Sequence, residues 1–415
     1  MNTPTPAHAF PSWNDAATAG MDEPQLLLYR SNLLGSDLRI TNYGGGNTSA
    51  KIWQQDPLTG EQAEVLWVKG SGGDVGSMKL DGFSTLYMDK LRALKGLYRG
   101  LAFEDEMVGY LPHCTFNLNT RAASIDTPLH SSLPYVHVDH MHPDAVIAIA
   151  AMANSEAITK QVFGGTVGWM PWLRPGYELG QQLAACNAAN PGLRGIVLGG
   201  HGLFSWGDSS KACYENTVDL IQRAQTWLSQ ERAARNVPVF GGAAVAPLAD
   251  AERDAALARV LPVLRGLSAE GAPKLLHLNT SAEVMEFVNS KDLEPLAALG
   301  TSCPDHFLRT KIRPLIVPEA VYQLQGAELK ARLSELLAGY RADYAAYYER
   351  CKRANSPALR DPNPVVILLP RIGMVTIAKD KATARIAGEF YVNAINVMRE
   401  ANAVDRYVGL PEQEA

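Results

Sequence analysis

Cysteine is sparse here. Five residues, Cys114, Cys186, Cys213, Cys303 and Cys351, are scattered over 415 positions with no C-x-x-C pair. That excludes a disulfide framework and points to a reducing compartment. Long apolar runs are also missing. No stretch reaches the ~20 residues that a membrane helix needs, and MNTPTPAHAFPSWND has neither the basic nor the apolar segment of a secretory leader. The expectation is a cytoplasmic chain with no membrane partner. Net charge is -5 and no Lys/Arg block stands out, so no nucleic-acid partner is expected. Neither a G-x-x-x-x-G-K-[ST] loop nor a dinucleotide fingerprint occurs.

What is present is an ordinary globular composition, 47% hydrophobic and 20% charged, in a length suited to two or three domains. The first 20 residues are Pro/Thr/Ala-rich and expected to start irregularly. EPQLLLYRSNLL has helical spacing that Gly35 can end. ITNYGGGNTSAKIW reads as strand, glycine-rich turn, strand, and VLWVKGSGG as a strand running into a small-residue loop. FSTLYMDKLRALKGLYRG reads as a helix ending at Gly100. PYVHVDH is a strand and AVIAIAAMAN a short apolar helix. RGIVLGGHGLFSWG is a strand pair around a Gly-Gly-His-Gly turn, followed by a long helix that Ser209 or Ser210 can cap. Such an order predicts an α/β sheet sandwiched by helices. VPVFGGAAVAPLAD, 237–250, is a composition break, so one domain is expected over 1–240 and an α/β extension over 250–415, where DAALARVLPVLRGL and AELKARLSELLAGYRADYAAYYERC have helical spacing and LLHL, PLIVP and PVVILLP read as strands. Within the extension, GMVTIAKDKATARIAGEFYVNAIN echoes GLFSWGDSSKACYENTVDLIQRAQ at a spacing of 171 (373 − 202) and carries Ile372 where the first copy has His201. The expectation is a degenerate partial repeat without a metal role. A different strand order around the two segments would sink it.

Three of the nine histidines fall within YVHVDHMHPD. His140 and His142 form an H-x-H pair, and residues two apart project from one face of a strand. With His201 they make a three-imidazole set, the usual composition of a zinc site that keeps an open position, from which a metal polarises a carbonyl. His137 and Asp139 alternate to the other face. His113 and His130 are weaker candidates, and His277 and His306 are assigned nothing. Asp126, just upstream, has two readings of equal weight: an acid/base carboxylate tuned by a nearby metal, or a turn cap before Thr-Pro. GGGNTS (44–49) and GSGG (70–73) let backbone N–H groups approach an anion, although tight hairpins use the same residues.

Taken together, these motifs resemble the class II aldolase/adducin family over about 24–235. Gly46, Asn47 and Ser49 match its Gly-Asn-x-Ser phosphate turn, and Ser71 and Gly72 its Thr/Ser-Gly loop. Ser124, Ile125 and Asp126 match a Ser-Ser-Glu segment whose glutamate is the acid/base, and His140, His142 and His201 match the zinc ligands. RAASIDTPLH and GTSCPDHFLRTK resemble the aldolase part of bifunctional rhamnulose-1-phosphate aldolase/short-chain dehydrogenase proteins; no Rossmann fingerprint supports the second activity. The resemblance implies a three-layer α/β/α sandwich with a mostly antiparallel sheet and Zn²⁺, or another divalent metal, as cofactor. It implies a phosphate held by Gly46, Asn47, Ser49, Ser71, Gly72 and Ser124, proton transfer by Asp126, a sugar-phosphate substrate (L-rhamnulose 1-phosphate foremost), and a homo-oligomer. Two departures stand out. Asp126 is one methylene shorter than glutamate, and Ile125 replaces a serine. A neighbouring-subunit tyrosine, expected at the aldehyde side, matches no particular one of the 15 tyrosines. An epimerase or dehydratase on the same scaffold, and an adducin-like non-catalytic protein, are the alternatives.

Overall fold

A computed structural model describes residues 9–269 and 271–415; the expected irregular start at 1–8 lies outside them. The chain divides into two compact units, 1–150 with 155–227, and 151–154 with 228–415.

The first unit is built on a seven-stranded sheet. Its strands are β1 (Asn47–Gln55), β2 (Gln62–Lys69), β3 (Phe83–Tyr87), β4 (His137–Met141), β5 (Val167–Met170), β6 (Gly195–Leu198) and β7 (Gly202–Gly207), in the order β3-β2-β1-β4-β7-β6-β5. Only β5 and β6 run parallel; the other neighbours are antiparallel. Helices cover both faces, giving the three-layer sandwich. On one face Leu129 and Leu133 around the Thr127–Ser132 helix, and Leu179 and Leu183 of the Tyr177–Ala189 helix, pack with Val138, Ile196, Phe204 and Trp206. On the other, the Glu23–Gly35 and Ser210–Arg235 helices bring Arg30 and Thr217 against Asp139.

Local chemistry explains the helix ends. Asp22 and Gln25 form a reciprocal capping box at the Glu23–Gly35 helix. Ser209, rather than Ser210, caps the long helix by accepting from the Ala212 amide at 3.1 Å.

Two local expectations need correction. Ile40 and Thr41 do not form a strand; residues 38–46 are turns and irregular backbone, and the strand begins at Asn47. Two β-branched residues ahead of Asn-Tyr-Gly-Gly-Gly are too few to hold a pairing partner. FSTLY is not the start of a helix. It is β3, paired antiparallel with β2 from Val65↔Tyr87 to Lys69↔Phe83, and the helix is confined to Met88–Ala93. Strand pairing overrides helical spacing where aromatic and β-branched residues can join an existing edge.

The second unit carries a four-stranded sheet, β8 (Leu275–Asn279), β9 (Leu315–Ile316), β10 (Val366–Leu369) and β11 (Gly373–Ala378), in the order β8-β11-β10-β9. The Asp250–Ser268 and Gly326–Cys351 helices supply Val260, Leu264, Leu333 and Leu337 to its core, together with Ile367, Ile372 and Val375. The Lys381–Val404 helix follows β11.

Candidate metal centre

His140 lies on β4 and His142 just beyond its end, while His201 sits in the turn between β6 and β7. Antiparallel pairing of β4 with β7, with Met141 opposite Leu203, brings the turn to the end of the histidine strand. His140 Nε2 is 3.0 Å from His142 Nε2 and 3.2 Å from His201 Nε2. One ligand atom from each residue lies within 4.8 Å of the others, and the residues are 0%, 5% and 2% exposed. A tetrahedral ion with metal–nitrogen bonds near 2.0–2.1 Å sets its ligand atoms about 3.3 Å apart, so the spacing fits.

The donor chemistry fits as well. His140 Nδ1–H donates to the Leu203 carbonyl at 3.1 Å, which fixes the tautomer and turns the Nε2 lone pair inward. Phe204 stacks on the His140 ring at 4.2 Å and 11°. Burial, and then the proximity of His142 and His201, hold the His140 imidazole well below its ordinary pKa, so it remains the neutral form that ligates. These three imidazoles can hold a divalent metal.

Glycine at 202 is a steric requirement. A Cβ there would lie 2.6 Å from the Met141 carbonyl oxygen and 2.8 Å from His142 Cδ2. Gly202→Ala is therefore expected to displace the His142 ring and lower metal affinity by at least about tenfold, since even groups supporting a ligand contribute 10–100-fold. Metal titration of the purified variant measures this, and unchanged affinity would refute it. Gly46 is equally constrained, at φ +69 with a Cβ that would meet the His140 carbonyl oxygen at 2.9 Å.

Asn47 stands directly opposite His140 in the β1–β4 pairing, and its Nδ2 donates to Asp126 Oδ2 at 2.5 Å. Ser124 Oγ lies 3.3 Å from the same oxygen. Asp126 occupies the residue before the Thr127–Ser132 helix but makes no side-chain capping bond there; its carboxylate is turned to Asn47 instead. Asn47 Oδ1 is buried without a partner.

The remaining sequence candidates fall into two groups. Ser49, 1% exposed, is bonded to His130 Nδ1 at 2.8 Å. Burial, followed by the charges of Lys51, Arg30 and Lys69, pulls His130 down to about 3. Ser71 and Gly72 are exposed on the loop after β2. There the Ser71 amide donates to Ala122 O at 2.9 Å, and the Cβ position of Gly72 opens onto empty space.

His137 and Asp139 lie on the opposite face, both against Arg30. Arg121 opens the RAASIDTPLH stretch, but no local pattern gives it a role. Its side chain lies along the GSGG loop, its Cβ 2.6 Å from where a Cβ on Gly70 would sit and its Cζ 3.8 Å from one on Gly73. The small residues of the loop suggest an anion cradle; two of them also make room for an arginine, a signal visible only in three dimensions.

Comparison with known proteins places this geometry. A profile described as "Class II Aldolase and Adducin N-terminal domain" matches residues 25–228, and one described as "Aldolase class II, second domain" matches 255–415. The chain is 38% identical over 389 residues to a Bacillus subtilis (strain 168) protein named "Uncharacterized oxidoreductase YuxG". It covers 94% of this chain and 56% of that one, so the chain spans just over half the length of that relative. The N-terminal class II aldolase domain of a conserved protein from Thermoplasma acidophilum is 31% identical, with 52% of this chain and 98% of that one covered at a TM-score of 0.48. An L-fuculose-1-phosphate aldolase from Thermus thermophilus is 14% identical, with 50% and 93% covered at a TM-score of 0.33. Two family profiles that together match residues 25–228 and 255–415 show that this chain belongs to the class II aldolase/adducin family.

Proposed function

We propose that the protein is a zinc-dependent aldolase that cleaves a ketose 1-phosphate, foremost L-rhamnulose 1-phosphate, to dihydroxyacetone phosphate and L-lactaldehyde. The observation carrying this reading is the Asn47–Asp126 couple set across one strand pairing from the three-histidine cluster. Zinc held by His140, His142 and His201 supplies Lewis-acid polarisation of the ketose carbonyl. In cleavage, a base takes the C4 hydroxyl proton, the C3–C4 bond breaks to release the aldehyde, and the electron pair stays on C3 in conjugation with the C2 oxygen. Asp126 in its protonated form then delivers a proton to C3 and is left as the carboxylate, which Asn47 holds in place. The unpartnered Asn47 Oδ1 is an acceptor suited to a substrate hydroxyl.

In this reading Gly46, Asn47, Ser49, Ser71, Gly72 and Ser124 hold the phosphate, and Arg121 adds a cation beside the GSGG loop. Removing that cation by Arg121→Ala is expected to raise KM for a ketose 1-phosphate about tenfold, the effect of losing a charge-assisted contact worth ~1.5 kcal/mol. A non-phosphorylated ketose would be unaffected. An equal rise for both sugars refutes the assignment. A homo-oligomer is part of the same reading.

The deciding experiment combines metal analysis with a retro-aldol screen over ketose 1-phosphates. Lactaldehyde and dihydroxyacetone phosphate support the aldolase; an isomeric sugar phosphate excludes it. Asp126→Asn should lower kcat by about 10²–10³ while metal content stays constant. A fall in kcat that tracks metal loss would instead make Asp126 a structural support.

A further inference from the structure

We infer that the second unit is a half-copy of the first unit's sheet in which hydrophobic side chains stand at two of the three ligand positions, so that this unit holds no metal centre of its own. This rests on the metal reading only for the word "metal"; the correspondence itself is geometric. In the first unit, β4 pairs antiparallel with β7, β7 antiparallel with β6, and β6 parallel with β5. In the second, β8 pairs antiparallel with β11, β11 antiparallel with β10, and β10 parallel with β9. Chain connectivity follows the same order in both.

The match extends to single residues. β6 and β7 map onto β10 and β11 at both ends with the 171-residue spacing, and the helices that follow begin at Ser210 and Lys381 with that same spacing. Gly200 and Arg371 both have left-handed backbone, at φ 62 and 67. One residue later, the His201 amide donates to Leu198 O at 3.0 Å and the Ile372 amide to Leu369 O at 2.9 Å. Ser209 caps its helix through the Ala212 amide, and Asp380 caps its own through Thr383. A Cβ on Gly202 would lie 2.6 Å from Met141 O, and one on Gly373 2.6 Å from Asn279 O. Generic strand-turn-helix units share a pattern, but not a left-handed residue, a turn bond, a cap and a steric glycine in one register.

That register identifies what became of the ligands. Leu203 pairs with Met141, and its counterpart Met374 pairs with Asn279. His140 therefore corresponds to Leu278, His142 to Thr280 and His201 to Ile372. Phe204, which stacks on His140, corresponds to Val375. Ile372 and Val375, 1% and 0% exposed, belong to one core with Val260, Leu264, Leu333 and Leu337, and Leu278 packs against it. The helix-covered face that holds the ligand set in the first unit holds, at the matching positions of the second, Leu278 and Ile372 in a core with the Asp250–Ser268 and Gly326–Cys351 helices.

The test is made on the full chain with two substitutions at equivalent positions. His201→Ala should remove bound divalent metal. Ile372→Ala should keep one metal per chain and kcat/KM within about twofold, while the melting temperature drops by several degrees because a core side chain is truncated. A second metal equivalent in the wild-type protein, metal retained in His201→Ala, or metal lost from folded Ile372→Ala would overturn the inference. An unchanged melting temperature for Ile372→Ala would also overturn it. If the wild-type protein binds no metal, the metal reading fails, and the Ile372→Ala melting temperature still decides whether the site is filled.

Discussion

Replacing His142 by alanine is expected to strip the divalent metal from the purified protein and lower kcat/KM by about 10³-fold or more, the scale of losing several kcal/mol of transition-state stabilisation. The size of the effect follows from the construction of the site. In the proposed site three imidazoles are the protein ligands, and two could not close a tetrahedral site that must also leave room for substrate. No neighbouring side chain can substitute along β4. Asp139 and His137 point through the sheet to Arg30, and the residue opposite His140 on β7 is Phe204. His113→Ala, on an exposed residue in the same unit, should change neither quantity. Metal content by elemental analysis and turnover on a ketose 1-phosphate measure the two arms. A variant at position 142 that still binds one metal per chain would exclude the His140–His142–His201 assignment.

Legibility in the sequence tracked how local each feature is. The H-x-H pair can be read because strand alternation is a two-residue rule, and the same rule turns His137 and Asp139 to the opposite face, where the structure has them. The turn holding His201 can be read because its glycines announce themselves, and a Cβ on Gly202 has no room. β3 cannot, because FSTLY runs straight into a genuine helix and its strand character depends on β2, an edge formed elsewhere in the chain. Asp126 stays ambiguous in sequence because its partner Asn47 is 79 residues away; only the folded chain shows the carboxylate turned from the helix end. Arg121 and Arg30 are invisible for the same reason. They lie in the legible stretches RAASIDTPLH and EPQLLLYRSNLL, yet nothing local gives either a role, and each takes its surroundings from segments brought together by the sheet.

Arg30→Met should destabilise the protein by about 3–5 kcal/mol, the range for breaking a buried ion pair by removing one partner. Arg30 and Asp139 are both 0% exposed, with Nε 2.9 Å from Oδ1 in a close ionic approach off the hydrogen-bond axis. The guanidinium also donates to Ser49 O at 2.7 Å and Ser210 Oγ at 3.0 Å, and its Nη1 lies 3.0 Å from His137 Nδ1. That imidazole, pulled down to about 3 by burial and then by the charges of Arg30 and Lys51, is neutral and accepts. Asp139 Oδ2 accepts from Thr217 Oγ1 at 2.9 Å and Cys213 Sγ at 3.2 Å. One network thus fastens the Glu23–Gly35 helix, β1, β4 and the Ser210–Arg235 helix behind the strand that carries the ligand pair. Methionine matches the arginine stem but leaves Asp139 as a buried carboxylate without its countercharge. Adding Asp139→Leu removes that charge, so the double variant should be more stable than Arg30→Met alone, because a hydrophobic replacement of both partners is often close to neutral. Urea unfolding of the wild-type protein, both single variants and the double variant closes the cycle. A single-variant loss below about 1 kcal/mol, or a double-variant loss equal to the sum of the singles, would mean that the pair is not an energetic unit. Metal affinity offers a separate readout. If the network holds β4 in place, the folded Arg30→Met protein should bind metal about 10-fold or more weakly, the range for supports one step removed from the ligands, although none of the three histidines has been touched.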